Sequence, residues 1–144
     1  MKIDKIMRDL INSAYTTTGI PIASTLANKR GAVALGLNQR VQLNSPILHA
    51  ELDAISAAGR GQRYDTLVLY TTLAPCLLCA GAIVFFNIPK VIFADKENFY
   101  SPKAFELLWS RGIETEYQKS IPMINYFYNW KTNNYKLWNE DINQ

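Results

Sequence analysis

The sequence has 144 residues, of which 49% are hydrophobic and 19% are charged. This length suits one domain over residues 1–144, and the balance of residue types excludes a disordered chain. Fifteen Lys and Arg residues against twelve Asp and Glu residues give a net charge of +3. Nucleic-acid-binding proteins usually concentrate far more positive charge on one face, so a nucleic-acid partner is not expected.

The sequence contains no recognisable export signal or membrane-spanning segment. Asp4 and Asp9 interrupt the apolar run that an export signal at the N-terminus would need. The longest nearly uncharged apolar stretch, residues 73–86, contains Pro75 and is shorter than the roughly 20 residues that a spanning helix requires. We therefore expect a cytoplasmic protein without a membrane partner.

The first third of the chain predicts a helix followed by a hairpin. Apolar residues recur at helical spacing over residues 3–16, which indicates an amphipathic helix. Strands are predicted at residues 22–27 and 32–37, because the turn at residues 28–31 ends in a glycine that can adopt a positive φ. Residues 38–48 are predicted to form a loop.

The rest of the chain alternates helices and strands. A helix over residues 48–58 is ended by Gly59, and a β-branched and aromatic run at residues 66–72 is typical of a buried central strand. The later predicted elements are a helix at 76–86, a strand at 91–94, a helix at 102–111, a strand at 113–117 and a partly helical tail at 126–138. This alternation predicts an α/β protein, a three-layer α/β/α sandwich around a five-stranded mixed sheet.

Two short motifs carry the candidate chemistry, His49-Ala-Glu51 and Pro75-Cys76-Leu-Leu-Cys79. They contain the only histidine and the only two cysteines of the chain. Cysteines three positions apart on a helix lie on one face, and the N-terminal end of a helix favours thiolates. Zinc accepts imidazole and sulfur together, and three protein ligands leave the fourth tetrahedral position for water, as in catalytic sites.

Glu51 lies two residues from His49, near the expected metal without being forced to bind it. A carboxylate there can take a proton from a water whose pKa zinc lowers toward about 7, and can return it to a leaving amine. We therefore expect His49, Cys76 and Cys79 to hold one zinc ion per subunit. Glu51 is expected to be the catalytic acid and base.

Other interpretations of these residues stay open at this point. A Cys-x-x-Cys pair can be a thioredoxin-like redox motif, although this leaves His49-Ala-Glu51 unexplained. A lone histidine is often a core residue, and a carboxylate in a first helical turn often stabilises the helix dipole. A zinc-bearing interaction module without catalysis is the alternative from a different functional class.

The two motifs together, HxE followed by PCxxC, resemble the signature of the zinc-dependent cytidine and deoxycytidylate deaminase superfamily. The likeness covers residues 5–142 and is greater to the fungal-type cytosine deaminase branch than to tRNA adenosine deaminases. The segments that favour this branch are 19–22, 87–90, 97–99, 111–112 and 138–141. The resemblance implies a homodimeric hydrolase of pyrimidine salvage that deaminates a nucleobase, cytosine to uracil, with release of ammonia.

The resemblance also implies a small substrate pocket beside the zinc. Asn38 matches an asparagine that binds the carbonyl and ring edge of a pyrimidine. Phe99 and Trp138 match aromatic residues that wall the base, and Asp141 matches a tail carboxylate at its amino side. Ordinary packing would equally explain the two aromatic residues, and Asn38 could be a turn residue and Asp141 a solvated tail residue.

The chain departs from the fungal pattern at two positions of the motifs. Ala50 stands where those enzymes have glycine, and Ala74 stands where they have serine. These departures leave other substrates open, namely guanine, isocytosine, another heterocycle or nucleoside, or adenosine in tRNA. The reaction type is the same for all of them.

Overall fold

The computed structural model describes residues 2–142, apart from the side chain of Asp141. The elements in chain order are α1 (Lys5–Thr16), β1 (Ala23–Asn28), β2 (Gly31–Leu37), α2 (Ala50–Ala58), β3 (Val68–Thr71), α3 (Leu77–Phe85), β4 (Lys90–Phe93), α4 (Pro102–Ser110), β5 (Glu114–Tyr117), α5 (Ile121–Asn133) and α6 (Tyr135–Ile142). Within the described residues, the five strands form one sheet in the order β2-β1-β3-β4-β5. β1 is antiparallel to β2 and β3, whereas β3, β4 and β5 are parallel. The prediction of a five-stranded mixed sheet is confirmed.

Successive strand residues point to opposite sides of the sheet, and helices cover both sides. Leu69 and Val91 point into a core shared with α3 and α4, and Tyr70 and Ile92 point into a second core shared with α1, α5 and α6. The largest fully buried side chains of these cores include Phe105, Phe127, Met7, Leu26, Leu69 and Ile83. The predicted three-layer α/β/α sandwich is confirmed.

The side chain of Asp4 fixes the start of α1 and ties it to the sheet. Its carboxylate accepts hydrogen bonds from Met7 N at 2.9 Å, from the hydroxyl of Tyr70 at 2.8 Å and from Nε2 of Gln118 at 3.0 Å. Burial alone would raise the pKa of Asp4, but these hydrogen bonds, led by that from Gln118, hold it below the ordinary 3.8. Because Asp4 is the N-cap, the helix begins two residues later than predicted.

The predicted central strand and the predicted tail also have different bounds in the structure. The strand predicted from residue 66 begins at Val68, because residues 64–66 form a 3₁₀ turn in which the Thr66 hydroxyl donates to the carbonyl of Arg63. The partly helical tail predicted at residues 126–138 is two helices, α5 and α6. The first begins early because the Ser120 side chain caps it.

Gly36 allows α2 to pack directly on strand β2. A Cβ atom at Gly36 would overlap the α2 backbone at Ala50 and Ala54. On the same strand, Leu37 N donates to the Asp53 carboxylate at 2.9 Å. These contacts fix the N-terminal end of α2 against the sheet. No helix among the described residues is long and apolar enough to cross a membrane.

Candidate metal centre and active site

Both sequence motifs lie at the starts of helices. His49 is the N-cap residue of α2, and Cys76 is the N-cap residue of α3. Among the described residues, neither side chain forms the N-cap hydrogen bond that usually closes a helix start. Cys79 lies one turn into α3 on the same side as Cys76, as the spacing predicted. Both helix starts therefore present metal-binding side chains.

The three predicted metal ligands meet at one point. His49 Nδ1 lies 3.5 Å from Cys76 Sγ and 3.5 Å from Cys79 Sγ, and all three atoms lie within 4.8 Å of one another. In a tetrahedral zinc site, Zn–S bonds of about 2.3 Å and Zn–N bonds of about 2.0 Å separate nitrogen and sulfur by about 3.5 Å. The donor set and its spacing fit zinc, so these residues are positioned to hold a metal ion.

The two cysteines have opposite pKa shifts because they share a proton. The hydrogen bond from Cys79, helped by His49 and opposed by burial, lowers the pKa of Cys76 to about 4. The same interaction with Cys76, together with burial, raises the pKa of Cys79 above its ordinary value. These shifts favour the thiolate form of Cys76, which is the form that binds zinc, and Cys79 would release its proton on binding a metal.

Glu51 lies in the first turn of α2 and is 5% exposed. Burial, and secondly the Cys76 thiolate, raise the pKa of its carboxyl to about 7, while His49 acts in the opposite direction. A carboxyl group with a pKa near neutrality can both accept and donate protons at that pH. A buried acid of this kind beside a metal-ligand cluster is a feature of catalytic sites.

A cavity next to this cluster brings together most of the predicted site. Its lining residues are Ile22, Asn38, His49, Glu51, Leu73, Ala74, Cys76, Phe99, Trp138 and Ile142. The sequence analysis did not assign four of these lining residues to the site, namely Ile22, Leu73, Ala74 and Ile142. Asp141 lies in α6, and its side chain is outside the described part of the structure.

Asn38 is buried at the end of β2 and is 1% exposed. Its backbone N–H donates to the carbonyl of Ile22 at 3.0 Å, and its Oδ1 accepts from Arg40 N at 3.0 Å. The side chain is thus both a turn residue and a lining residue of the cavity. With Oδ1 engaged in the turn, the group that Asn38 offers to a ligand is the NH₂ donor.

Phe99 and Trp138 form the aromatic side of the cavity. Their rings make an edge-to-face contact, with centroids 6.1 Å apart. Trp138 also packs edge-to-face against Phe127 of α5 at 5.0 Å and is only 6% exposed. Trp138 therefore packs in the core and also lines the cavity, while its contact with a base stays a prediction.

Comparisons with known proteins agree with this geometry. The family model for the cytidine and deoxycytidylate deaminase zinc-binding region matches residues 2–95. The cytosine deaminase of Candida albicans is 34% identical over 97% of this chain and 94% of its own length. The tRNA-specific adenosine deaminase of Buchnera aphidicola is 35% identical over 60% of this chain and 62% of its own length.

A solved structure supports the same assignment. The guanine deaminase of Bacillus subtilis matches 65% of this chain and 64% of its own chain, with 29% identity and a TM-score of 0.59. Relatives named for three different substrates thus match this chain, so the comparisons define the reaction class and leave the substrate open. The chain belongs to the cytidine and deoxycytidylate deaminase family and carries that family's zinc-binding region.

Proposed function

We propose that this chain, as one domain, catalyses the zinc-dependent hydrolytic deamination of a free nucleobase, cytosine to uracil. The observation that carries the proposal is the buried carboxyl of Glu51, which lines the same cavity as His49 and Cys76. The identity to a cytosine deaminase over 97% of the chain supports the choice of base. The products are uracil and ammonia, with one water consumed.

Glu51 moves the protons of the proposed reaction. When bound by three protein ligands, zinc lowers the pKa of a coordinated water to about 7 and so supplies the nucleophile. Glu51 accepts a proton from the attacking water and passes it to ring nitrogen N3 as the new C–O bond forms at C4. The second proton of the water reaches the amino group through Glu51, the C4–N bond breaks, and ammonia leaves.

The cavity walls bind the base and orient it towards Glu51. A free base offers a flat aromatic face and a few polar edges, and Phe99 and Trp138 supply the aromatic surface for the face. The NH₂ group of Asn38 donates to the carbonyl oxygen of the pyrimidine. We propose that Asp141, which follows Trp138 by three residues on α6, contacts the amino side of the ring.

A free base is favoured over a nucleotide within RNA. Trp138 and Ile142, both on α6, close one side of the cavity, which leaves little room for a sugar and phosphates. The excess of basic over acidic residues is only three, and these residues are scattered along the sequence. An RNA-binding enzyme would need a basic surface for the phosphates.

We further propose that two copies of the chain associate through α3. This helix contains no charged residue, and a helix that is apolar on all sides is normally covered on all sides. Its outer face nevertheless exposes Leu77, Leu78 and Phe85, the last at 77%. Gly81 leaves open space between them, which allows close approach of a second apolar surface. The cytoplasmic location and the role in pyrimidine salvage stay predictions.

The second candidate function is deamination of another ring or of tRNA adenosine. It is favoured by the similarity to the Bacillus guanine deaminase and the Buchnera adenosine deaminase. Ammonia release by the zinc-loaded protein should be compared for cytosine, cytidine, guanine, isocytosine, adenosine and a tRNA anticodon stem-loop. We expect release from cytosine.

Other outcomes of this comparison would reject parts of the proposal. Release only from another ring would reject cytosine and the assigned roles of Asn38 and Asp141 but keep the role of Glu51. Salt-sensitive release from the stem-loop alone would establish the RNA alternative. No release from any of the six compounds would reject the proposed function.

A further inference from the structure

The aromatic wall residue Phe99 lies on the loop of residues 94–101, which joins β4 to α4. The second residue of this loop, Asp95, is 1% exposed. The backbone carbonyl of Asp95 accepts a hydrogen bond from Ala74 N at 2.8 Å. The loop is therefore attached directly to the chain segment that leads into Cys76.

The Asp95 carboxylate closes a tight turn just before Phe99. One oxygen accepts from Glu97 N at 2.8 Å and from Asn98 N at 3.0 Å. The other oxygen accepts from the Asn98 side-chain nitrogen at 2.6 Å. Three hydrogen bonds to one buried carboxylate fix the backbone up to the residue that precedes Phe99.

Asn98 also connects this turn to α5. Its side-chain nitrogen donates to the carbonyl of Ile124 at 2.9 Å, and its backbone carbonyl accepts from the ammonium of Lys131 at 3.4 Å. α5 leads through Asn134 into α6, which carries Trp138. One amide side chain thus links the loop that carries Phe99 to α5, whose Phe127 packs against Trp138.

We propose that Asn98, held by Asp95, is a positioning residue that sets Phe99 against Trp138 and so fixes the base-stacking wall of the pocket. This inference rests on the proposed function, because it assigns the wall to base binding. The metal ligands and Glu51 lie in or just before α2 and α3, whereas the hydrogen bonds of the Asn98 side chain go to Asp95 and to the carbonyl of Ile124. Loss of the Asn98 side chain should therefore weaken substrate binding more than the chemical step.

The test is a double-mutant cycle of Asn98→Ala and Phe99→Leu in the zinc-loaded protein. Stacking of a base on an aromatic side chain corresponds to a change in binding of roughly 5- to 150-fold. We expect Asn98→Ala to raise KM within this range, with kcat little changed and zinc content unchanged. In the Phe99→Leu background, Asn98→Ala should have almost no further effect on KM, because Asn98 acts through Phe99.

Asn133→Ala is the matched control for this cycle. It removes an amide hydrogen bond to another carbonyl of α5, that of Asn129, on the exposed side of the helix. It should leave KM and kcat at wild-type values. Equal effects of Asn98→Ala on KM in the two Phe99 backgrounds, or an effect confined to kcat or zinc content, would overturn the inference.

Hydrogen exchange tests the positioning without any turnover. In Asn98→Ala, backbone amides of residues 95–101 should exchange faster, while those of residues 76–85 keep their wild-type rates. Faster exchange throughout the protein, or an unchanged exchange rate in residues 95–101, would contradict the inference. Turnover of the wild-type protein, prepared in the same way, tests the proposed function separately. A failure of the proposed function can therefore be told apart from a failure of this inference.

Discussion

The metal ligands could be identified from the sequence because few residue types bind zinc. The chain has one histidine and two cysteines, and the structure places all three within 4.8 Å. The apolar cavity residues Ile22, Leu73 and Ala74 could not be identified in this way. An apolar residue beside a strand has the same sequence pattern whether it packs in a core or lines a pocket.

The turn at Asp95 also escaped the sequence analysis. The contact that connects this turn to α5 runs from the Asn98 side chain to the backbone carbonyl of Ile124. It joins residues 26 positions apart through a backbone atom. Backbone carbonyls are the same at every position, so no sequence pattern marks this contact. Asp95 itself gives a local signal, because Asp is common in turns, where its side chain accepts a hydrogen bond from the backbone N–H two residues later.

Replacement of a metal ligand tests the centre at the scale of one residue. Cys76→Ala should lose stoichiometric zinc and lower the melting temperature, because metal binding and folding are coupled through the ligands. Metal analysis after dialysis and thermal unfolding measure the two effects. The control is Leu77→Ala, an exposed neighbour that should keep its zinc. Full zinc content in Cys76→Ala would refute the ligand assignment.

At the scale of elements, the site depends most on the position of α2, because His49 is its N-cap residue and Glu51 lies in its first turn. Its position depends on Gly36, where the α2 backbone occupies the place of a side chain. The sequence predicted both β2 and α2 but not their close contact, because a glycine in a strand has several explanations. The contact only becomes evident once the pairing of strand and helix is known.

Gly36→Ala should therefore push α2 away from the sheet. We expect a loss of about 1 to 3 kcal/mol in the free energy of unfolding and a weaker hold on zinc, because His49 moves with the helix. Urea unfolding and zinc release to a chelator measure these effects. Val33→Ala, on the exposed side of the same strand, is the control. Wild-type stability and zinc retention in Gly36→Ala would contradict this role of Gly36.

The Asp4 contacts predict how stability depends on pH. Since the pKa of folded Asp4 lies below its ordinary 3.8, the stabilisation is complete above that pH and is lost as the pH falls through the folded-state pKa. Asp4→Asn should cost about 1 kcal/mol at pH 7, a modest figure because the carboxylate is partly exposed.

The measurement is urea unfolding of wild type and Asp4→Asn at several pH values. The difference between them should stay constant from pH 7 down to the ordinary pKa and shrink below it. Asp9→Asn, which removes an exposed carboxylate from the same helix, should show little effect at any pH. A difference in the free energy of unfolding that grows on acidification would contradict the lowered pKa of Asp4 in the folded protein.

At the scale of the whole molecule, the sequence was sufficient for the layers but not for the strand order. All five strands and the first four helices were predicted because their periodicity and turn residues are strong local signals. The order β2-β1-β3-β4-β5 depends on pairing between distant segments, which no local pattern encodes. The tail was underestimated because aromatic residues on both sides of α5 obscure its helical period.

Assembly is tested by a charge on the exposed face of α3. Phe85→Glu should convert a wild-type dimer into a monomer, because a buried unpaired carboxylate opposes association. Sedimentation velocity measures the change, and Tyr128→Glu, at a similarly exposed aromatic residue of α5, is the control. A wild-type protein that sediments as a monomer at micromolar concentration, or an unchanged dimer in Phe85→Glu, would reject the proposed interface.

The most direct test of the whole account is the conversion of cytosine to uracil by Glu51→Gln at full zinc content. Glutamine keeps the size and polarity of the side chain but cannot carry the proton. The account predicts that zinc binding is retained while kcat falls by a factor of about 10² or more. Asp53→Asn, a second carboxylate of α2 that faces Leu37, should remain active. Near-wild-type turnover in zinc-loaded Glu51→Gln would contradict the account.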